Sequence, residues 1–349
     1  MAARRFLVGA LGTATGPGGS PSGLYLCTQD PTGRIDVLDV CLLDNPSFVV
    51  VHPRLPVAYA VNEIAGRNGG VSVVEIEGDR LRARQRTDSL GQLPCHLALL
   101  EDARALAVVH YGCGTVVLFQ LDHGGALTGA HRSVRHAGAS VDRRRQASAH
   151  PHCVVICGDS AYVTDLGQDC VVQYRADSLA ERSRCAIHAG AGPRHLVLDA
   201  SRNVGWVGNE LDNTVSRLAI EADGSLREVD CFGVLPEVIG RSAISEIALH
   251  PNGRWLYVGN RGHDSIWWCG VLPDGALGRG GPLGRGGAVA TQGAHPRHFA
   301  LTPGGGALLV ANRDSDSLVS FAVDPDSGEL IPLAEPFCDV PRPVCVRWL

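Results

Sequence analysis

Short apolar runs of roughly five to seven residues, cut by Gly-, Asn-, Asp- and Pro-rich turns, recur from one end of the chain to the other. Their alternation follows a period of two rather than 3.6, which marks strands. The clearest stretch is 193-PRHLVLDASRNVGWVGNELDNTVSRLAI-220. It predicts a strand at His195 to Asp199, a turn at Ala200 to Asn203, a strand at Val204 to Gly208, a loop at Asn209 to Asn213 and a strand at Thr214 to Ile220. An Asp-Gly turn at 223–224 leads to a weaker strand around Leu226 to Phe232. Related units open at Pro46, Pro94, Pro151, Pro193, Ser245, Pro296 and Pro343. Repeats of roughly 40–50 residues with about four strands each signal a β-propeller. The unit at Pro343 has no return strand of its own, and N-terminal strands at Phe6 to Leu11, Gly23 to Cys27 and Arg34 to Val40 can complete it. The expected fold is therefore all-β: a seven-bladed β-propeller of four-stranded antiparallel blades, with a composite N/C-terminal blade closing a single domain over 1–349. Closure of this kind removes free sheet edges.

Three stretches break the rhythm. Residues 129–149 are polar and carry Arg132, Arg135, Arg143, Arg144 and Arg145; they read as an insertion between strands, either solvated or lying as a lid over a site. Residues 278–289 (GRGGPLGRGGAV) read as a Gly-rich connecting loop, because they lack the Lys-Ser/Thr and the strand-turn-helix setting of phosphate-binding loops. Residues 234–245 are the best helical candidate, at most a turn or two, since they contain Pro and Gly. The basic, briefly apolar start at Met1 to Gly12 is too short for a signal peptide and reads as an edge strand.

Charge and composition narrow the function. A net charge of −5 and a pI near 6.3 give no global attraction to nucleic acid or anionic membrane, and no stretch approaches 18 uninterrupted apolar residues. Neither kind of partner is expected, and a monomer or weak homodimer is. Twelve cysteines lie mostly inside apolar runs, without paired CxxC spacing. The 153-CVVIC-157 pair could hold a metal from one strand face, but buried free thiols acting as small hydrophobes account for the pattern. Free thiols in this number imply a reducing compartment, hence a cytoplasmic location.

Propeller geometry turns linear motifs into a site. The first strand of a blade lies nearest the channel and the second returns, so residues before strand one and after strand two share a face. That face gathers Arg194, His195, Arg261, Arg297, His298 and Arg313 with His150 and His152. The carboxylates Glu63, Asp165 and Glu210 join them. Arginine forks suit planar anions through paired hydrogen bonds, so the expected partner is a small, strongly acidic metabolite. The His150-x-His152 pair could bind a metal, but a third ligand is not evident. His195 and His298 also fit packed supporting roles, and Arg194, Arg297 and Glu210 fit ion pairs between blades.

Several motifs together carry a resemblance: 59-YAVNE-63, 150-HPH-152, 164-TDLGQD-169, 192-GPRHLVLD-199, 207-VGNELDNTV-215, 250-HPNGRWLYVGNR-261 and 296-PRHFAL-301. Over nearly its whole length the chain resembles the seven-bladed lactonase family, which includes propeller-type 6-phosphogluconolactonases and fungal carboxy-muconate cyclases. The resemblance implies an active site at one channel mouth, with His152, Arg194, Glu210 and Arg261 as catalytic residues. His150, His195, Arg297, His298, Arg313 and Glu63 are left as substrate-binding candidates. It further implies catalysis without a metal or cofactor, as a lactonase acting on an acidic sugar lactone, foremost 6-phosphogluconolactone. A lactone-forming cycloisomerase would use the same residues, and a non-enzymatic interaction scaffold would use the fold alone. Glu210 as base with His152 as acid is the first assignment; neighbouring arginines would weaken Glu210 and favour the reverse. Gly12-Thr13-Ala14-Thr15 and the 129–149 segment depart from the family pattern.

Overall fold

The computed structural model describes residues 3–12, 21–235, 242–278, 286–333, 335, 337 and 340–349. Seven antiparallel sheets of four strands each form the blades. Blade 1 runs through Val49–Val51, Val57–Asn62, Asn68–Glu77 and Arg80–Gln92, and blade 2 through Pro94–Leu99, Ala105–His110, Thr115–Leu121 and Leu127–Arg135. Blade 3 comprises Pro151–Cys157, Ser160–Asp165, Cys170–Arg175 and Glu181–Ala186; blade 4 comprises Pro193–Asp199, Val204–Asn209, Thr214–Ile220 and Leu226–Gly233. Blade 5 is Ala243–Leu249, Trp255–Arg261, Ser265–Gly270 and Gly286–Ala290, and blade 6 is Pro296–Leu301, Ala307–Asn312, Ser317–Val323 and Leu330–Pro332.

Blade 7 is composite. Pro343–Trp348 pairs with Arg4–Ala10, which pairs with Gly23–Gln29 and then Ile35–Leu42. The N-terminal strand is therefore flanked on both sides and is not the edge strand expected of it. A short 3₁₀ turn at Arg313–Ser315 is the one helical element among the described residues.

Why the second strands lack polar alternation follows from the packing. Val57–Asn62, Ala105–His110, Ser160–Asp165, Val204–Asn209 and Ala307–Asn312 are buried at every position, because a blade has a neighbour against each face. The core is accordingly seven apolar clusters, one between each adjacent pair of blades. Outer strands meet water and alternate, as in Leu226–Gly233.

Two of the irregular segments are partly regular. Residues 127–135 form the outermost strand of blade 2, with Thr115 opposite Arg135, leaving 136–150 as the connection. Gly286–Ala290 is the fourth strand of blade 5, opposite Ser265–Cys269, although residues 279–285 lie outside the described residues. Glycine-rich sequence gives no side-chain alternation, so that strand carries no sequence signal. The helical candidate at 234–245 includes 236–241, and the Gly-Thr-Ala-Thr departure includes 13–15; both of these stretches lie outside the described residues.

Candidate active site

The second strands of blades 1, 3, 4 and 6 end at the mouth on a buried Asn or Asp that anchors the neighbouring chain. Asn62 accepts from Ser72 Oγ at 2.8 Å, Asn209 donates to Ser216 Oγ at 2.9 Å, and Asn312 donates to the Thr291 carbonyl at 3.0 Å. Asp165 does this work in blade 3. One of its oxygens accepts the backbone N–H groups of His150, Gly167 and Gln168, and the other lies 2.6 Å from His136 Nδ1. His136 continues to the Tyr174 hydroxyl at 2.8 Å. Asp165 is thus a buried scaffold group, oriented away from ligand duty.

Glu210 follows Asn209 directly. Its backbone N–H donates to the Gly192 carbonyl at 2.8 Å. Gly192 takes φ +66, and a Cβ there would come within 2.4 Å of Leu211, so glycine is required for this approach. The Glu210 carboxylate is buried and meets three guanidinium groups. Arg261 Nη2 lies 2.7 Å from Oε2, Arg194 Nε lies 3.0 Å from Oε2, and Arg145 Nη2 donates to Oε1 at 2.6 Å. Burial works to raise the Glu210 pKa, but Arg261, Arg194 and Arg145 outweigh it and hold the carboxyl well below the usual carboxylate range.

The arginines differ in what they have left to offer. Arg261 also donates to the Ile244 carbonyl at 2.7 Å. Arg194 is 2% exposed; its Nε is near Glu210 but not aligned as a hydrogen bond, and its buried Nε and Nη1 have no hydrogen-bond partner. Burial, then Arg297 and Arg261, bring its pKa down to about 9. Arg297 has neither an ion pair nor a side-chain hydrogen bond among the described residues, yet it is close enough to depress Arg194, His152 and His195. Four guanidinium groups, from Arg145, Arg194, Arg261 and Arg297, therefore face the carboxylates of Glu210 and Glu246, an excess of two positive charges.

Four imidazoles line the channel beneath them. Rings of His96 and His195 are 5.3 Å apart, those of His152 and His195 5.4 Å apart, and Phe48 lies 3.9 Å from His96. Burial first, then neighbouring positive groups, push His96, His152 and His195 well below the ordinary histidine pKa; burial also takes His298 down to about 4, against the opposing pull of Glu246. All four are neutral at physiological pH. His152 Nδ1 is buried without a partner.

The sequence-predicted residues thus divide. His152, Arg194, Glu210 and Arg261 converge, with His195, His298 and Arg297 beside them. His150 stacks on Tyr111 at 4.3 Å and has Nδ1 2.7 Å from the Tyr111 carbonyl, which commits it to the wall. Arg313 pairs with Asp314 at 2.6 Å, and no hydrogen bond or ion pair joins it or Glu63 to the Glu210 cluster among the described residues. Two participants escaped the sequence reading. Arg145 lies on the non-repeating connection, so no motif marks it. Glu246 was missed through register: Ile244 faces Asn260 as Pro193 faces Asn209, so Glu246 occupies the position of His195 in its blade. Starting the unit at Ile244, despite the missing proline, would have revealed it. Among the described residues, no group of three or more His, Cys, Asp or Glu is arranged to hold a metal ion.

The architecture is a seven-bladed propeller with a cluster of guanidinium groups and carboxylates at one mouth. Residues 8–348 match the family described as lactonase, 7-bladed β-propeller, and the chain belongs to that family. It is similar to the 6-phosphogluconolactonase of Bacillus subtilis, 29% identical with 98% of each chain covered. The fold superposes on a putative 6-phosphogluconolactonase from Bacteroides uniformis with a TM-score of 0.89 and 28% identity, covering 100% of both chains. A periplasmic gluconolactonase from Pseudomonas aeruginosa matches with a TM-score of 0.87 and 27% identity, over 100% of this chain and 99% of that one. That last relative corrects the cytoplasmic expectation drawn from unpaired cysteines. The physical reason lies in burial: it pushes the Cys27, Cys153 and Cys345 thiols up to about 12, so they stay protonated and unreactive in an oxidising compartment too.

Proposed function

We propose that the protein hydrolyses a phosphorylated sugar lactone, with 6-phosphogluconolactone as the substrate. The observation that carries this reading is the excess of two positive charges at the mouth, with Arg297 unpaired among the described residues, which matches a phosphate dianion better than a neutral sugar. The gluconolactonase and 6-phosphogluconolactonase relatives support the lactone half of the proposal.

In this reading Arg297 holds the phosphate. Arg194, with buried donors still unpartnered, faces the lactone carbonyl oxygen, where negative charge develops as water attacks. Glu210 orients the arginines and is too weak a base to take a proton from water. Proton transfer falls to neutral imidazole, and His152, whose Nδ1 lacks a partner, contacts the reacting oxygens.

The test is hydrolysis of freshly generated 6-phosphogluconolactone by wild type and Arg194→Ala, with and without EDTA, after subtracting spontaneous ring opening. Turnover insensitive to EDTA and lost in the variant is the expected result. No turnover by the wild type overturns the substrate assignment, and activity restored only by an added divalent cation overturns the metal-independent mechanism.

A further inference from the structure

His96, His195 and His298 occupy corresponding places in their blades, whereas His152 stands one residue earlier in its own, and the hydrogen bonds of the three are not equivalent. His96 Nδ1 accepts the Val154 N–H of the next blade at 3.4 Å, and His298 Nδ1 accepts the Val346 N–H of its next blade at 3.3 Å. An N–H can only be donated, so both rings carry their proton on Nε2. His195 should follow the pattern by accepting from Ile247. Glu246 intercepts: the Ile247 N–H goes to Glu246 Oε1 at 3.0 Å, and that same oxygen lies 2.9 Å from His195 Nδ1.

Glu246 Oε2 lies 3.1 Å from His298 Nε2, the nitrogen that carries that ring's proton. One carboxylate oxygen therefore receives a backbone N–H and the other lies beside a proton-bearing imidazole nitrogen; burial raises the Glu246 pKa, His298, Arg194 and Arg297 oppose it, and the ionised carboxylate is the form taken here. His195 must then donate from Nδ1, which leaves the lone pair on Nε2. This is the carboxylate–imidazole arrangement that orients a general base. The remaining charged groups around His195 are Arg194, Arg261, Arg297 and Glu210, with the neutral rings of His96 and His152 alongside.

We propose that His195, oriented by Glu246, is the group that takes the proton from the attacking water. This rests on the lactonase reading above and deepens it. As the water oxygen bonds to the carbonyl carbon, one water proton moves to His195 Nε2 and the carbonyl π pair moves onto the oxygen facing Arg194. The tetrahedral species then collapses: the bond from carbon to ring oxygen breaks, and His195 returns its proton to the departing oxygen, beside His152. The new acid releases its own proton to solvent. Substrate binding favours the base, because Arg194, Arg297 and Arg261, which add to burial in keeping His195 neutral, are the cations an anionic substrate offsets.

The test compares pH profiles of wild type, His195→Gln, Glu246→Gln and Glu246→Asp. His195→Gln is expected to lower kcat at least about 100-fold with KM changed less than about threefold. In Glu246→Gln, kcat falls by about 10- to 100-fold and the acidic limb of kcat/KM moves to lower pH, because the imidazole loses the carboxylate that supports its basicity. Glu246→Asp restores part of both. A Glu246→Gln enzyme with kcat within threefold of wild type and an unmoved limb overturns the proposal. A second measurement needs no turnover and separates this failure from failure of the substrate assignment: nitrogen NMR of histidine-labelled protein, with inorganic phosphate as the anion. Neutral His195 protonated on Nδ1, with a pKa that rises as phosphate is added, is the expected result. The Nε2–H form overturns the proposal whatever the substrate.

Discussion

Replacing Glu210 with glutamine keeps the shape of the side chain and removes the charge that three guanidinium groups share. Arg194 is buried and the Arg261 side chain is only 12% exposed, so the variant leaves two largely desolvated cations without their carboxylate. Breaking a buried pair from one side costs about 3–5 kcal/mol. The half-exposed Arg145 contact adds at most ~1 kcal/mol. An unfolding entropy of about 2.1 cal/mol/K per residue gives roughly 0.7 kcal/mol/K for this chain, so the loss corresponds to a Tm lower by about 4–8 °C. The pH dependence has a defined sign. The folded-state pKa of Glu210 is depressed, so its contribution is complete above the unfolded value of about 4.3 and fades as pH falls below that. Calorimetry at pH 7 and below pH 4 should therefore show a gap between the two proteins that narrows with acid. Sulfate should raise the Tm of Glu210→Gln more than that of the wild type, by occupying the vacated anion position. A Tm within 1 °C of wild type at pH 7 would refute the view that Glu210 holds the arginines in place.

Two further outcomes can be checked independently. Arg297→Ala should raise KM for a phosphorylated lactone by about 10- to 100-fold, the scale of a charge-assisted hydrogen bond, and affect glucono-δ-lactone far less; because Arg297 has no ion pair among the described residues, its Tm should move by less than about 1 °C. His188 sits between Glu228 at 2.8 Å and Asp212 at 2.6 Å; burial opposes its charge, but these carboxylates raise its pKa. That contribution is present below the unfolded value of about 6.5 and lost as pH rises through the higher folded value, so His188→Gln should cost more Tm at pH 6 than at pH 9.

The blades were legible because each repeats the same constraint. An apolar first strand, a turn and a largely apolar second strand recur from blade to blade, and in four blades the second strand ends on Asn or Asp. Composite closure was equally visible, since 341-PRPVCVRWL-349 opens a unit and supplies no return. Two kinds of feature were not legible. Gly286–Ala290 pairs through its backbone alone, so its sequence looks like a loop. Arg145 and Glu246 reach the mouth from places without a motif: one lies on an irregular connection, the other in a blade whose opening proline is isoleucine. The fate of the predicted base was half visible. Proximity of arginines to Glu210 followed from the motifs, but a carboxylate shared among three of them is a fact of three dimensions.

The composite blade also sets a timetable. Pro343–Trp348 is translated after the other 27 described strands, yet it takes the channel-side place in its sheet, with Val346 opposite Val8. At about 5–20 residues per second, roughly 15–70 s of synthesis separate the two strands of that pair. Six blades can be assembled while the ring stands open on one side. During that interval His298 lacks the Val346 N–H that fixes its proton on Nε2, so the contact that makes Glu246 an acceptor from that side is not yet set. The arginine cluster can form before the ring closes, whereas the imidazole network is finished by the docking of one late strand. The order of the imidazole network is thereby tied to the docking of Pro343–Trp348, the strand that supplies the Val346 N–H to His298.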